Sequence, residues 1–276
     1  PRDAEALAER RRLKRRLSGW RAFALVGAVA AIAAAGGRFN VLGVADHVAR
    51  LSIAGIIVDD PDRSRALAEV GRDPAAKALV IRIDSPGGTV VGGESLFRDL
   101  RAIAEKKPVV AVLGEVAASG GYMVALAADH IFAREATITG SIGVILQSTD
   151  VTGLLEKLGI KPEAIKSAPL KAVPSPLETL TEEGRAVAKE MVDDMFDMFV
   201  GLVAERRGLS RERAVALADG RVYTGRQARA RDLIDAIGGE ADARAWLQEQ
   251  KGIRARLPTR EVTVERDDGM WYDLIS

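Results

Sequence analysis

The sequence lacks cysteine and contains only two histidines, His47 and His130, among 276 residues. The absence of cysteine excludes disulfide bonds, cysteine-ligated zinc, thiolate-bound iron–sulfur clusters and a thiol nucleophile. Two histidines are also too few for a metal site built from several imidazole ligands. If the chain is an enzyme, its chemistry therefore rests on oxygen and amine side chains, and we expect it to need neither a metal nor another cofactor.

Neither sign of charge is in excess over the whole chain, since the formal net charge is only +1. The basic residues are nevertheless concentrated at one end: residues 1–21 carry eight basic and three acidic side chains. The remaining chain is therefore mildly acidic, which argues against a nucleic-acid-binding protein. An apolar fraction of 47% and a charged fraction of 29% are typical of a folded protein of one or two domains.

No charged residue occurs between Ala22 and Gly37, directly after the basic end. As a helix these residues would span about 24 Å, and an extension past Arg38, whose side chain can snorkel, would bring the length to that of a hydrocarbon core. We predict a membrane anchor and linker over residues 22–45. The basic segment 1–21 would stay in the cytoplasm, and the body would lie on the extracytoplasmic side of the inner membrane.

Two alternatives for this segment remain open. It could be a signal peptide cleaved near residues 33–35, which would also place the body outside the cytoplasm, or an alanine-rich soluble helix. After it we expect one main domain over residues 46–260 and a charged C-terminal tail over residues 261–276.

The main domain begins with alternating strand and helix patterns. We predict strands over 51–58, 78–83 and 108–114. We predict one helix over 62–71, a second from the end of segment 84–88 to about residue 104, and a third after Ser119. Two successive strand–helix–strand units predict a parallel sheet in an α/β fold. The intervening loops, 84–88 and 115–121, would follow the carboxyl ends of strands, where ligands bind in such sheets, so they can face one site.

The second half is less regular. Residues 47–50, before the first strand, are expected to be a polar connection, and residues 166–176 a proline-rich loop. The remaining predictions are strands near 130–133, 137–139, 139–145 and 164–165, and helices over 151–158, 181–207, 210–218, 226–233 and 240–250.

Ser119 stands between Ala118 and Gly120 at a predicted strand-to-helix turn. A serine there can be a nucleophile whose hydroxyl lies near the positive end of a helix dipole. Serine is also a common helix cap, and this stretch alone leaves both interpretations open.

A serine nucleophile needs a base. His130 lies across the predicted helix, roughly 15 Å from Ser119 at the rise of an α-helix, and His47 directly follows the predicted anchor. Neither position is suitable, which leaves a lysine that loses its proton because it is buried. For a lysine to titrate near 7 instead of about 10.4, burial must contribute roughly 4–5 kcal/mol. Lys171 has apolar neighbours in the sequence, and Lys166 in the same loop is an alternative candidate for the base. Most lysines, however, are simply surface residues.

Backbone amides are needed to bind the oxyanion. Gly87 and Gly88 offer backbone without obstructing side chains, and Gly120 directly follows Ser119. Ser-Pro-Gly-Gly can equally be an ordinary tight turn. The spacing of a dinucleotide-binding fingerprint is absent.

Five motifs together resemble the bacterial signal peptide peptidases of the serine–lysine type. They are Asp84-Ser-Pro-Gly-Gly88, Ala118-Ser-Gly-Gly-Tyr122, Thr139-Gly-Ser-Ile-Gly143, Ile165-Lys-Ser with the later Lys171, and Gly220-Arg-Val-Tyr-Thr-Gly225. The resemblance covers about residues 51–239. It implies a Clp/crotonase-like fold of repeated β-β-α units and a serine endopeptidase that degrades cleaved signal peptides and other hydrophobic segments.

The resemblance also implies roles for individual residues. Ser119 would be the nucleophile, Lys171 the general base and Ser141 a residue that positions the lysine, while Gly87, Gly88 and Gly120 would supply the oxyanion donors. It further implies a ring-like homo-oligomer in which one subunit gives the serine and its neighbour the lysine. The lysine loop departs from the usual pattern, with Ala168-Pro169 and Ala172 where a glycine and an acid are expected.

Three alternatives follow from the same residues. One is a membrane serine protease that cuts a stomatin-like partner, and another is an inactive assembly scaffold of the same fold. The third is a crotonase-type acyl-CoA enzyme, against which the exposed serine and the predicted anchor argue.

Overall fold

The computed structural model describes residues 45–265 together with Trp20, Arg21, Ala24, Val26 and Gly27. The chain separates into two units, Pro1–Asp46 and His47–Ser276. The predicted cytoplasmic segment and anchor fall almost entirely outside the described residues, as does most of the predicted C-terminal tail. None of the helices in the described part combines the length and the apolar character that a membrane crossing requires.

The described residues of the main domain form eight strands and eight helices. The strands are β1 (His47–Ile57), β2 (Ala76–Gly88), β3 (Val109–Ala118), β4 (His130–Ala133), β5 (Ile138–Gly140), β6 (Val222–Thr224), β7 (Ala236–Ile237) and β8 (Thr259–Glu261). The helices are α1 (Pro61–Arg72), α2 (Val90–Ala104), α3 (Gly120–Ala125), α4 (Thr152–Lys157), α5 (Glu182–Arg207), α6 (Arg211–Leu217), α7 (Gly225–Arg229) and α8 (Glu240–Lys251).

All eight strands belong to one sheet, in the order β6-β5-β3-β2-β1-β8, with β4 paired to β3 and β7. Every pairing is parallel except that of β5 with β6. The prediction of an α/β fold with a mostly parallel sheet is therefore confirmed. The reason is the sequence alternation at the start of the domain, where each strand is followed by a helix that covers the sheet.

Side chains on both faces of β2 and β3 are buried. One face packs against α1, α2, α3 and the second half of α5, and its core includes Ile81, Ile83, Leu100, Leu113 and Phe199. The other face is covered by α8 around Leu247. A sheet buried on both sides is a rigid base for residues at its carboxyl edge.

Several predicted boundaries were wrong. Residues 47–50 are the start of β1, because Val48 and Ala49 are buried in the sheet. Residues 84–88 and 115–118 are strand rather than loop. β2 pairs with β3 as far as Ser85 and Ala117 and with β1 as far as Gly88, and β3 pairs with β5 as far as Ala118. The strands predicted at 141–145 and 164–165 are absent, because no strand of the described chain pairs with them.

Behind α3 an ion pair joins the end of α5 to the residue before β7, whose carboxylate also binds β4. Tyr122 is fully buried and donates to the Leu233 carbonyl at 2.7 Å. The Asp235 carboxylate accepts from the Ile131 N–H at 2.8 Å and pairs with Arg207 at 2.8 Å. Burial by itself raises the pKa of the Asp235 carboxyl, but the hydrogen bonds and charge of Arg207 outweigh it, so the pKa lies below the ordinary 3.8.

This pair predicts a pH-dependent stability difference. Asp235→Asn is expected to lower the free energy of unfolding by about 1–3 kcal/mol, because it leaves a largely buried arginine without its counter-charge. A carboxyl whose folded pKa is depressed stabilises the fold above its unfolded pKa, and that contribution disappears as the pH falls through the folded value. Urea unfolding should show the same difference in free energy of unfolding between wild type and Asp235→Asn at pH 7 and pH 5, and a smaller difference at pH 3. An equal difference at all three would contradict the assignment.

Candidate active site

Ser119 joins the end of β3 to the start of α3 in a strained conformation. Its φ is 53°, a left-handed value that residues with a Cβ rarely adopt. Its N–H donates to the Gly140 carbonyl at 2.8 Å, and its carbonyl accepts from the Met123 N–H at 2.9 Å. Such strain persists only where the surroundings hold it, and it is concentrated at active sites.

The Ser119 hydroxyl does not cap α3. Five other helices have a conventional cap, in which the side chain of Asp60, Thr89, Thr181, Ser210 or Thr224 accepts a hydrogen bond from a first-turn amide. Ser119 makes no such bond, and within the described residues its half-exposed hydroxyl has no hydrogen-bond partner. Of the two interpretations left open by the sequence, the structure favours the nucleophile.

The glycine turn at the end of β2 lies against Ser119. A Cβ on Gly87, whose φ is 114°, would be 3.0 Å from both the Gly120 nitrogen and the Ser119 Cβ. A Cβ on Gly120 would be 3.3 Å from the Gly88 nitrogen. The structure thus brings Ser119, Gly87, Gly88 and Gly120 together, and a side chain on Gly87 would separate them.

Two of the three predicted amides are available to bind an oxyanion. The Gly87 N–H already donates to the buried Ser85 Oγ at 3.1 Å. The Thr89 N–H donates to the Ile57 carbonyl on β1, and successive amides of an extended segment alternate in direction, so the Gly88 N–H points away from β1, and its nitrogen lies near Gly120. The Gly120 N–H is the first of α3, and no described group accepts from it. Gly87 therefore leaves room for Ser119 to approach the glycine turn, while its own N–H is occupied by Ser85.

Ser141 lies next to the residue that holds Ser119. Gly140 accepts the Ser119 N–H, and Ser141 follows it with a φ of 50° and an N–H that donates to the Arg221 carbonyl at 2.9 Å. One residue before Gly140, the buried Thr139 hydroxyl donates to Ala117 at 2.7 Å. Sequence reasoning gave no role to Thr139 or Ser85, although both stand inside the quoted motifs.

The structure does not bring Lys171 to Ser119 within one chain. Lys171 is exposed on a turn closed by its N–H to the Ala168 carbonyl at 3.1 Å, and its amine has no partner among the described residues. The rival Lys166 forms an ion pair with Glu178. Because this amine is already held by the Glu178 carboxylate, Lys166 is the weaker candidate for a base.

Both histidines lie at the opposite edge of the sheet from Ser119. His47 begins β1 within 3.7 Å of Asp73. His130 pairs with Val110 near the start of β3 and stacks on Trp246 at 4.8 Å, and burial lowers its pKa. Nine residues of strand separate Val110 from Ser119, about 30 Å at the rise of a β-strand. A histidine base from the same chain is therefore excluded.

Comparison with known proteins decides the family. Residues 101–254 match Peptidase family S49, which is more than half of the chain and includes Ser119, Ser141 and Lys171. The chain belongs to peptidase family S49. This S49 chain is 40% identical over 208 residues to a protein of Synechocystis sp. named as a protease, covering 75% of each.

Two further relatives carry more specific names. One, named as signal peptide peptidase SppA of Enterococcus faecium, is 34% identical over 220 residues, covering 75% of this chain and 64% of the relative. The other, Protease 4 of Salmonella typhi, is 36% identical over 178 residues, covering 64% of this chain but only 29% of the relative. The chain is thus an S49-family serine protease. Its alignments cover 75%, 64% and 29% of the length of these three relatives.

A solved structure, that of a ClpP1 mutant from Listeria monocytogenes, aligns with a TM-score of 0.48 at 19% identity, covering 70% of this chain and 92% of that one. This similarity is too slight to support conclusions about assembly or activity.

Proposed function

We propose that this S49 protease hydrolyses cleaved signal peptides and other hydrophobic segments, with Ser119 as nucleophile and Lys171 as general base. The supporting observation is the strained, uncapped Ser119 held against the glycine turn and the first amide of α3. We further propose that residues 22–45 anchor the enzyme in the inner membrane, with the catalytic domain on the extracytoplasmic side.

The geometry supports an acyl-enzyme mechanism. The Lys171 amine takes the proton of the Ser119 hydroxyl while its oxygen attacks the scissile carbonyl. The negative charge on the carbonyl oxygen is bound by the Gly88 and Gly120 N–H groups. The amide bond then breaks, the lysine returns the proton to the leaving amine, and water hydrolyses the ester by the same route. Ser141 helps to position the lysine.

The lysine would come from a second copy of the chain. No residue between Ile142 and Gly184 is buried, so this segment, the arm (residues 143–183), has no core of its own. It exposes eight large apolar side chains, namely Ile145, Leu146, Leu154, Leu158, Ile160, Ile165, Leu170 and Leu177. Apolar exposure on this scale is typical of an interaction surface.

A neighbouring copy that covers the arm would also bury Lys171. Burial favours the uncharged amine, which is the form that a general base needs. The backbone of residues 142–147, which follows Ser141 and makes no backbone hydrogen bond within the described chain, offers an edge along which an extended apolar peptide can pair beside Ser119.

Hydrolysis of a fluorogenic peptide with an apolar core tests the proposal. Ser119→Ala is expected to lower kcat by about 10⁴-fold or more, since it removes the nucleophile. Ser52→Ala, which removes an exposed hydroxyl on β1, should leave kcat unchanged. A fluorophosphonate should label Ser119 in the wild type and in the control. Substantial hydrolysis by folded Ser119→Ala would overturn the assignment.

A further inference from the structure

The pairing of β2 with β3 shifts just before the active site. Ile83 pairs with Leu113, an offset of 30 residues, whereas Ser85 pairs with Ala117, an offset of 32. Three residues of β3, Gly114, Glu115 and Val116, therefore lie opposite the single residue Asp84. This is a β-bulge with two extra residues on the strand that carries the nucleophile.

The bulge decides which residue faces the glycine turn. With the earlier offset of 30, Gly87 would lie opposite Ala117. With the offset of 32 it lies opposite Ser119, in agreement with the 3.0 Å between a Gly87 Cβ and the Ser119 Cβ. The two extra residues thus bring the nucleophile level with the turn that supplies the Gly88 amide.

Asp84 binds the bulge directly. Its Oδ1 accepts from the Val116 N–H at 3.1 Å, an amide within the bulge. Gly114 leaves room for the carboxylate, because a Cβ there would be 3.1 Å from both Asp84 Cγ and Oδ2. The next residue, Ser85, donates to the Gly55 carbonyl at 2.6 Å and accepts from the Gly87 N–H. Neighbouring side chains on β2 therefore hold the nucleophile strand and the glycine turn.

Asp84 does not reach the reacting atoms itself. It lines an open cavity of about 490 Å³ together with Arg82, Glu115 and Arg134, and neither Ser119 nor Gly88 belongs to that lining. Any effect of Asp84 on the chemistry therefore passes through the backbone of the bulge.

We propose that Asp84 is a positioning residue whose hydrogen bond to the Val116 amide fixes the register between Ser119 and the oxyanion turn. The inference rests on the proposed function, because it assigns Asp84 a role relative to Ser119 as nucleophile. Register matters for rate, since a misplacement of about 1 Å can cost on the order of 10²-fold.

Kinetics of two substitutions test the proposal. Asp84→Ala removes the acceptor and is expected to lower kcat by about 10²-fold with KM within about threefold of wild type. Asp84→Asn keeps an oxygen that can accept from the same amide, so kcat should stay within about fivefold of wild type. Glu115→Gln, on the exposed side of the same bulge, is the matched control and should be unchanged.

Amide hydrogen exchange separates a register change from general unfolding. Asp84→Ala should accelerate exchange at Val116 and leave Leu113 and Ile81 protected, because the ladder before the bulge is intact. If Asp84→Ala fails to fold, Gly114→Ala tests the same contact by pressing on the carboxylate, and it should lower kcat and expose the Val116 amide in the same way.

The outcomes distinguish the two assignments. The inference is overturned if Asp84→Ala, or Gly114→Ala in its place, keeps the wild-type kcat, or if Asp84→Asn loses as much kcat as Asp84→Ala. In each case Ser119→Ala, measured beside them, must be inactive for the proposed function to stand. Wild-type activity in Ser119→Ala would instead refute the nucleophile assignment, whatever the exchange data show at Val116.

Discussion

Lys171→Ala is expected to abolish hydrolysis as completely as Ser119→Ala, a loss of about 10⁴-fold or more, because a serine hydroxyl without a base is a poor nucleophile. Lys166→Ala is the matched control from the same loop. Lys166 is already paired with Glu178, so its removal should change kcat by no more than about threefold, the scale of losing a partly exposed ion pair. Initial rates on the apolar fluorogenic peptide give the comparison.

Mixed assemblies test whether two copies share each site. Ser119→Ala and Lys171→Ala subunits, each inactive alone, are co-expressed with different tags and purified together. If every site takes its serine from one copy and its lysine from the next in a closed ring, about a quarter of the sites in a random mixture have both intact. Activity near that fraction of wild type is the expected result.

Two results would contradict this arrangement. Mixed assemblies that contain both subunits and remain inactive would place serine and lysine in the same copy, and the arm would then have to fold back onto its own domain. Lys171→Ala with near wild-type activity would remove the lysine from the mechanism and make Lys166 the next residue to test.

The first half of the domain was largely predictable from the sequence. Apolar strands alternate there with helices, and a parallel arrangement follows for β1, β2 and β3. The longest helix was also predictable, because Thr181 caps it and Glu182 and Glu183 follow. These features leave a local pattern in the sequence.

The active-site details left no such pattern. The bulge opposite Asp84 depends on how two strands pair, and neither strand alone shows it. The hydrogen bond from the Gly87 N–H to the buried Ser85 hydroxyl was not predictable either, because the sequence Ser-Pro-Gly-Gly is also typical of an ordinary turn. The arm exposes apolar residues without a regular period, and its packing partner under the proposed function is a second copy of the chain.

Gly88→Ala is expected to damage both the fold and the chemistry. Its Cβ would lie 1.8 Å from the Ile57 carbonyl oxygen and 2.6 Å from the Ile57 nitrogen and carbonyl carbon, so two backbones must move apart. We expect a loss of about 3 kcal/mol in the free energy of unfolding, at the upper end for overpacking. Hydrolysis should fall by about 10²–10³-fold even in the folded fraction, because an oxyanion donor is displaced.

Gly92→Ala separates these two effects. It also creates a backbone clash, a milder one whose shortest contact is 2.6 Å to the Val58 carbonyl carbon, but its own amide already donates to the Thr89 hydroxyl. Urea unfolding should therefore show a loss of stability for both variants, larger for Gly88→Ala, whereas kcat per folded molecule should fall sharply only in Gly88→Ala. Equal kcat in both would mean that the Gly88 amide does not bind the oxyanion. In that case the Gly120 amide, at the start of α3, would be left as the donor that the described geometry supports.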